Sequence, residues 1–113
     1  MLGTEFVVVD VETSLGDPVR GRIIEMAVIA HDGLLEIERW NSLIKQPDEI
    51  PVFIQRLTGI RPAMLRSAPP FLEVAQKLRA STQDRIMVAH NVRFDMTAIQ
   101  HEFARTGLSY HPD

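Results

Sequence analysis

Cysteine is absent from this 113-residue chain, which rules out both a disulfide framework and a thiolate metal site. The absence suits a reducing compartment. A long apolar run is lacking too. The longest, Ile23 to Ala30, is interrupted by Glu25 and falls far short of the ~20 residues of a membrane span. The opening Met1-Leu2-Gly3-Thr4-Glu5 has no basic segment, and the apolar run after it ends at Asp10, so no signal peptide is read there. A cytoplasmic protein with no membrane partner is expected. An excess of positive charge is also missing, since the net charge is −3. A protein that grips duplex through its phosphates is usually basic. The charge therefore counts against a dedicated nucleic-acid binder, though not against an enzyme whose bound cations screen its site. No repeat, linker or low-complexity segment is present.

What remains is an ordinary globular composition, 45% hydrophobic and 24% charged, long enough for one domain with one core. Glu5 to Asp10 is a β-rich run without polar alternation, the pattern of a central strand buried on both faces. Residues 13–20 read as a loop. Arg22 to His31 and Leu34 to Lys45 are strand-like, and Asp32-Gly33 between them is a hairpin signal. Pro47 to Ser67 is irregular or built of short helical turns, because Pro47, Pro51, Gly59 and Pro62 each limit a continuous helix. Pro69-Pro70 opens a helix whose Phe71, Val74, Ala75 and Leu78 share one face. Arg85 to Ala89 is a short buried strand. Asn91 can cap a helix running to about Arg105, and Gly107 stops it at C′. Ser109-Tyr110 is a candidate start for another strand. An antiparallel three-strand meander followed by helix, strand and helix is an α/β layout with a mixed sheet. That element order is similar to the ribonuclease H-like fold.

Three acidic residues could do chemistry together. Asp10 and Glu12, at i and i+2 on a strand, point to one face with Cα atoms roughly 6.6 Å apart. That spacing suits a pair of cations about 4 Å apart, as in two-metal phosphoryl transfer. Mg²⁺ takes oxygen ligands and keeps several waters, so few carboxylates suffice. Taken alone, the pattern has an equally good plain reading, with Asp10 closing the strand and Glu12 solvated. Asp95 lies in the first turns of the helix after the fourth strand. If the first and fourth strands are parallel, it faces Asp10 and Glu12 across one sheet edge. Its plain reading is compensation of the helix dipole, worth under ~1 kcal/mol.

The two segments that carry these residues, Val8-Val9-Asp10-Val11-Glu12-Thr13-Ser14 and Val88-Ala89-His90-Asn91-Val92-Arg93-Phe94-Asp95, resemble the first two motifs of the DEDD exonucleases. That family is typified by the proofreading epsilon subunit of bacterial DNA polymerase III. Ile50-Pro51, Leu57-Thr58-Gly59-Ile60 and Ala68-Pro69 leading into Phe71-Leu72-Glu73-Val74 are similar as well, so the resemblance covers nearly the whole chain. It implies a metal-dependent 3′→5′ exonuclease of the proofreading type, which in DNA replication removes nucleotides from single-stranded or mismatched DNA 3′ ends. Two Mg²⁺ or Mn²⁺ ions would be its cofactors, and a DNA polymerase subunit is a candidate partner. Asp10, Glu12 and Asp95 would be the catalytic metal ligands. Thr13, Ser14 and His90 would lie against the terminal nucleotide, with Leu15 near its base and Phe94 near its sugar. A hydrogen-bonded His90 and a core Phe94 are the plainer alternatives.

Two departures from the family pattern stand out. Leu15 precedes Gly16 where many members have Gly directly after the Thr-Ser pair, which offsets the loop that cradles the nucleotide. The third motif, a general-base His followed shortly by a fourth metal-binding Asp, has no counterpart, since His111 and Asp113 are too close together and too early. The expectation is a domain over residues 1–113 that is incomplete at its C-terminus and inactive alone. Arg56, Arg61, Arg66 and Arg93 form either a sparse basic rim for a backbone or plain surface, and Trp40 reads as packing. His101-Glu102 is not a zincin pair. Other readings remain open: an exoribonuclease of the same family, a non-catalytic module that binds DNA ends or a polymerase, and a phosphatase with an Asp nucleophile at a strand end. The expected Asp32-Gly33 hairpin counts against the last.

Overall fold

A computed structural model describes residues 3–46 and 49–110. Pro47, His111 and Asp113, weighed above, lie outside the described residues. The chain forms β1 (Phe6–Thr13), β2 (Ile23–His31), β3 (Glu36–Leu43), α1 (Val52–Thr58), α2 (Pro62–Arg66), α3 (Phe71–Thr82), β4 (Ile86–Val88) and α4 (Val92–Arg105). One mixed sheet has the order β3-β2-β1-β4. The meander pairs antiparallel, with Val9 opposite Val28 and Val28 opposite Trp40. β4 runs parallel to β1, Val8 beside Val88. No helix among the described residues is long and apolar enough to cross a membrane.

The hairpin between β2 and β3 is present, but Asp32 to Leu35 all lie outside the strands. The Asp32 carboxylate accepts the backbone N–H groups of Leu34 and Leu35, both at 2.9 Å. Gly33 takes the positive φ of 99° that the turn requires. Residues 51–66 resolve into the two short helices that their proline and glycine spacing allows. Gly59 ends α1 in the left-handed conformation. Residues 108–110 form no strand, yet Tyr110 is buried and stacks on Phe103 at 4.7 Å.

Helices cover the two faces of the sheet unequally. Val7, Val9, Val11, Met26, Val28 and Ala30 lie on one face and form the main core with Phe71, Val74, Leu78, Ile99 and Phe103 from α3 and α4. Trp40 packs against that core, as its sequence context suggested, and donates to Ser81 Oγ at 2.9 Å. A second cluster joins Ile24 and Leu43, at one end of the sheet, to Ile54 of α1, Ile60 and Leu65 of α2.

The opposite face is more open, and this corrects two expectations. β1 is not buried on both sides: Phe6, Val8 and Glu12 are half-buried and Asp10 is exposed. β4 is not a buried strand either, because only Met87 packs inward while Ile86 and Val88 are 51% and 42% exposed. Apolar content sets which residues can be buried. The helices that dock on the sheet decide which ones are.

Candidate active site

Side chains alternate across a strand, so Asp10 and Glu12 share the open face of β1, opposite Val9 and Val11 in the core. Register then brings a fourth acid into view. Glu25 of β2 pairs directly with Glu12, and like charges facing each other across a ladder repel. The Glu12 carboxyl is accordingly held above the usual carboxylate range by burial, by Asp10 and by Glu25. Glu25 had entered the sequence reading only as an interruption in an apolar run. The signal that finds it is the hairpin register.

Asp95 reaches the same region from α4. β1 and β4 are parallel, so their C-terminal ends open on one edge, and the short turn at residues 89–91 carries the chain into α4. Asn91 caps that helix, its side-chain oxygen accepting the Phe94 N–H at 3.2 Å. The Asp95 backbone N–H is held by the Asn91 carbonyl at 2.9 Å. The Asp95 side chain is 6% exposed, and its pKa is pushed up to about 6, first by burial, then by Asp10 and to a lesser degree Glu12, with His90 opposing. Asp95 therefore senses the charges of Asp10 and Glu12, and His90 joins them as an exposed group at the turn before α4.

The carboxylates share an electrostatic field without forming a closed cage. Among the described residues no three His, Asp or Glu side chains stand ready to hold a metal ion. The donor set nevertheless fits a hard divalent cation, because its atoms are all carboxylate oxygens and their mutual repulsion is what such a cation relieves.

The remaining expected residues are placed unevenly. Thr13 and Ser14 are buried and engaged within the fold. The Thr13 hydroxyl donates to the Leu15 carbonyl. Ser14 Oγ accepts the Arg22 N–H at 2.9 Å, while the Ser14 N–H donates to the Arg22 carbonyl at 2.8 Å. Leu15 is 38% exposed at the start of the loop thus closed. Half-buried Phe94 lines a shallow cleft of about 310 Å³ with Pro18 of that loop and with Asn91, Arg93 and Thr97. Arg56 and Arg61 line a separate depression beside α1, and Arg66 is exposed at the end of α2.

One functional candidate was missed. The buried stripe of α4 is Asp95, Ala98, Ile99, Glu102 and Phe103, two acids among apolar residues at helical spacing. Glu102 is 1% exposed. Its carboxylate accepts from Arg22 Nε at 3.0 Å and Nη2 at 3.2 Å and from the Ile23 N–H at 2.9 Å, and it forms an ion pair with Arg105 Nη1 at 3.1 Å. An acid on a buried helical stripe must be paired, and that was the available signal.

The exonuclease family profile matches residues 7–113. Two curated relatives named 3′-5′ exonuclease DinG are similar to the chain. The protein from Staphylococcus haemolyticus (strain JCSC1435) is 35% identical over 96% of this chain. That from Bacillus subtilis (strain 168) is 35% identical over 91% of it. The chain spans only 12% and 11% of their lengths. Among solved structures, product-bound exonuclease I superimposes with a TM-score of 0.84 at 23% identity, over 95% of this chain and 27% of that one. Escherichia coli exonuclease I with a dT13 oligonucleotide gives 0.82 at 22% identity, over 94% and 25%. These likenesses establish the ribonuclease H-like fold.

Proposed function

The chain belongs to the exonuclease family of DEDD type, and on that premise we propose that it removes nucleotides from a DNA 3′ end by phosphodiester hydrolysis. The observation that carries this reading is the placing of Asp95 where burial, then the charges of Asp10 and Glu12, push its carboxyl up to about 6. Two carboxylates from one strand and one from a neighbouring helix suit divalent cations and a phosphate together.

Asp10, Glu12 and Asp95 would hold two Mg²⁺ or Mn²⁺ ions. Bound there, such ions supply Lewis-acid polarisation of the phosphodiester and a water of lowered pKa. The protein's own contribution is placement. β1 and the capped α4 fix the carboxylates, Leu15 and Phe94 offer apolar surface to the terminal base and sugar, and exposed His90 stands beside the phosphate path. Thr13 and Ser14, engaged with the backbone, shape the loop. The domain over residues 1–113 supplies the first two family motifs. The general base and the fourth carboxylate of the family pattern have no match within it, so a complete site draws them from outside these residues.

Single-stranded or mismatched DNA is the preferred substrate in this reading. The DinG relatives support a nuclease unit within a larger protein, and a proofreading role beside a polymerase is the second setting. The deciding assay uses 5′-labelled oligonucleotides in DNA and RNA versions, each with a free or blocked 3′ end, with Mg²⁺ or with a chelator. A protein extended through a third motif should shorten the free DNA 3′ end only when metal is present. Internal cutting, or indifference to the 3′ block, would sink the exonuclease assignment. Faster trimming of the RNA version would move the substrate to RNA, where the 2′-hydroxyl decides.

A further inference from the structure

We infer that Glu102, with Arg22 and Arg105, is a positioning residue for the nucleotide: it pins the loop of residues 14–22 against α4 and so sets the cleft between Pro18 and Phe94. The inference rests on the reading that Asp10, Glu12 and Asp95 form the reactive site. Glu102 is not one of those carboxylates. It stands seven residues beyond Asp95 on the same buried stripe of α4, about two turns along the axis. From there its carboxylate binds the far end of the loop through the Arg22 guanidinium and the Ile23 N–H.

The loop is clamped at three points. Its two ends are joined to each other, Ser14 to Arg22, through one backbone and one side-chain hydrogen bond. Arg22 and Ile23 are joined to Glu102. The middle is reached by Arg105, which binds the Glu102 carboxylate at 3.1 Å with one terminal nitrogen and donates to the Val19 carbonyl at 2.7 Å with the other. Within the loop, the Asp17 carboxylate accepts from Val19 N–H at 2.8 Å and the Asp17 carbonyl from Gly21 N–H at 2.8 Å. A Cβ at Gly21 would lie 2.7 Å from that carbonyl, so the tight fold of the loop requires glycine there.

Burial requires that the Glu102 carboxylate be paired; it does not require that its three donors and its ion pair all come from or lead to one loop. Charge-assisted hydrogen bonds are directional, and these run from α4 to the one segment that faces Phe94 across the cleft. The reactive carboxylates have separate supports: Asp10 and Glu12 the β1–β2 ladder, Asp95 the Asn91 cap. Loss of the Glu102 anchor should therefore loosen the nucleotide cleft while sparing the ion site.

The test compares wild type, Glu102→Gln and Arg105→Met. Mn²⁺ binding is measured by titration calorimetry, then binding of a deoxynucleoside 5′-monophosphate at saturating Mn²⁺, well below each protein's melting temperature. Glu102→Gln keeps the shape and the Ile23 bond but loses the charge. Arg105→Met frees Val19 while leaving the Glu102–Arg22 pair, which keeps the test open if the first variant folds poorly. The expected result is Mn²⁺ affinity within a fewfold of wild type, with nucleotide affinity down about tenfold or more, a loss equal to one charge-assisted hydrogen bond. Unchanged nucleotide affinity in folded variants would overturn the positioning role, as would an equal loss of Mn²⁺ and nucleotide binding. If wild type binds Mn²⁺ no better than an Asp10→Ala control, the site reading itself fails, and this inference fails with it.

Discussion

Asp95 is the residue where sequence and environment combine most clearly. Its place in the His90-to-Asp95 segment made it a candidate ligand, but nothing in the sequence set its charge state, which depends on how α4 docks. Burial and two neighbouring carboxylates raise its folded pKa to about 6 from the ordinary 3.8. The folded state thus prefers the proton. Below pH ~4 the group is protonated whether folded or not and costs nothing. As pH rises from about 4 to about 6 the unfolded chain ionises first, and the fold loses up to about 3 kcal/mol from this group. Asp95→Asn should therefore raise the melting temperature of the metal-free protein at pH 7.5, with the gain vanishing near pH 4. Millimolar Mn²⁺ should stabilise the wild type at pH 7.5 by binding only the folded state, and should leave Asp95→Asn nearly unmoved. Thermal melts at three pH values, with metal and with chelator, measure both effects. A variant no more stable than wild type at pH 7.5 would mean that the carboxylate is well solvated. Glu102 was harder to read at this scale. A partner 80 residues away in sequence leaves no local pattern, only the anomaly of an acid on an apolar stripe.

At the scale of elements, helix termini were more legible than burial. α4 begins after Asn91 and ends before Gly107, where capping chemistry puts its boundaries. The Leu108 N–H donates to the Phe103 carbonyl at 3.0 Å, and Gly107 adopts a φ of 81°, the Schellman arrangement. Such signals are local, so a sequence states them outright. Strand burial is not local. The unbroken apolar run at Val7-Val8-Val9 suggested cover on both faces, yet α3 and α4 cover only the face that Val7 and Val9 share. That partial cover is what leaves Asp10 and Glu12 accessible. The same element supplies a test. Asn91→Ala removes the cap from the helix that carries Asp95, which should cost about 1 kcal/mol and lower the melting temperature by about 4 °C. Because Asp95 sits in the first turn, Mn²⁺ affinity should weaken in step. Asn91→Asp keeps an oxygen acceptor at the cap and should restore much of the stability. If neither substitution moves the melting curve, the cap is not what fixes the start of α4.

Over the whole molecule, the topology follows from few facts. A meander of three strands, one crossover through α3, and a fourth strand parallel to β1 put two strand ends on one edge. Two motifs nearly eighty residues apart meet there. The sequence states the meander and the helices because those signals are short-range, while the parallel pairing of β4 with β1 entered it only as a condition. It did not reach the arginine–glutamate anchor, the pairing of Glu25 with Glu12, or the open sheet face, each of which depends on packing between distant segments. The unmatched third motif bears on activity. General-base catalysis contributes typically 10²–10⁴-fold, and no histidine among these 113 residues stands in the family's third-motif position. Assayed alone, the 113 residues should release little or no nucleotide from a 5′-labelled oligonucleotide, even with Mg²⁺ and a free 3′ end. A natural version extended through a His–Asp pair on a further helix should trim readily. In that version Asp10→Ala, Glu12→Ala and Asp95→Ala should each abolish turnover with the circular dichroism spectrum unchanged. Strong metal-dependent trimming by the 113 residues would instead mean that a group already present acts as the base. His90 would be the first to replace, since it is exposed at the turn before α4 and its charge is felt by Asp95. Loss of that trimming in His90→Gln, with Mn²⁺ affinity retained, would identify the base and remove the need for a third motif.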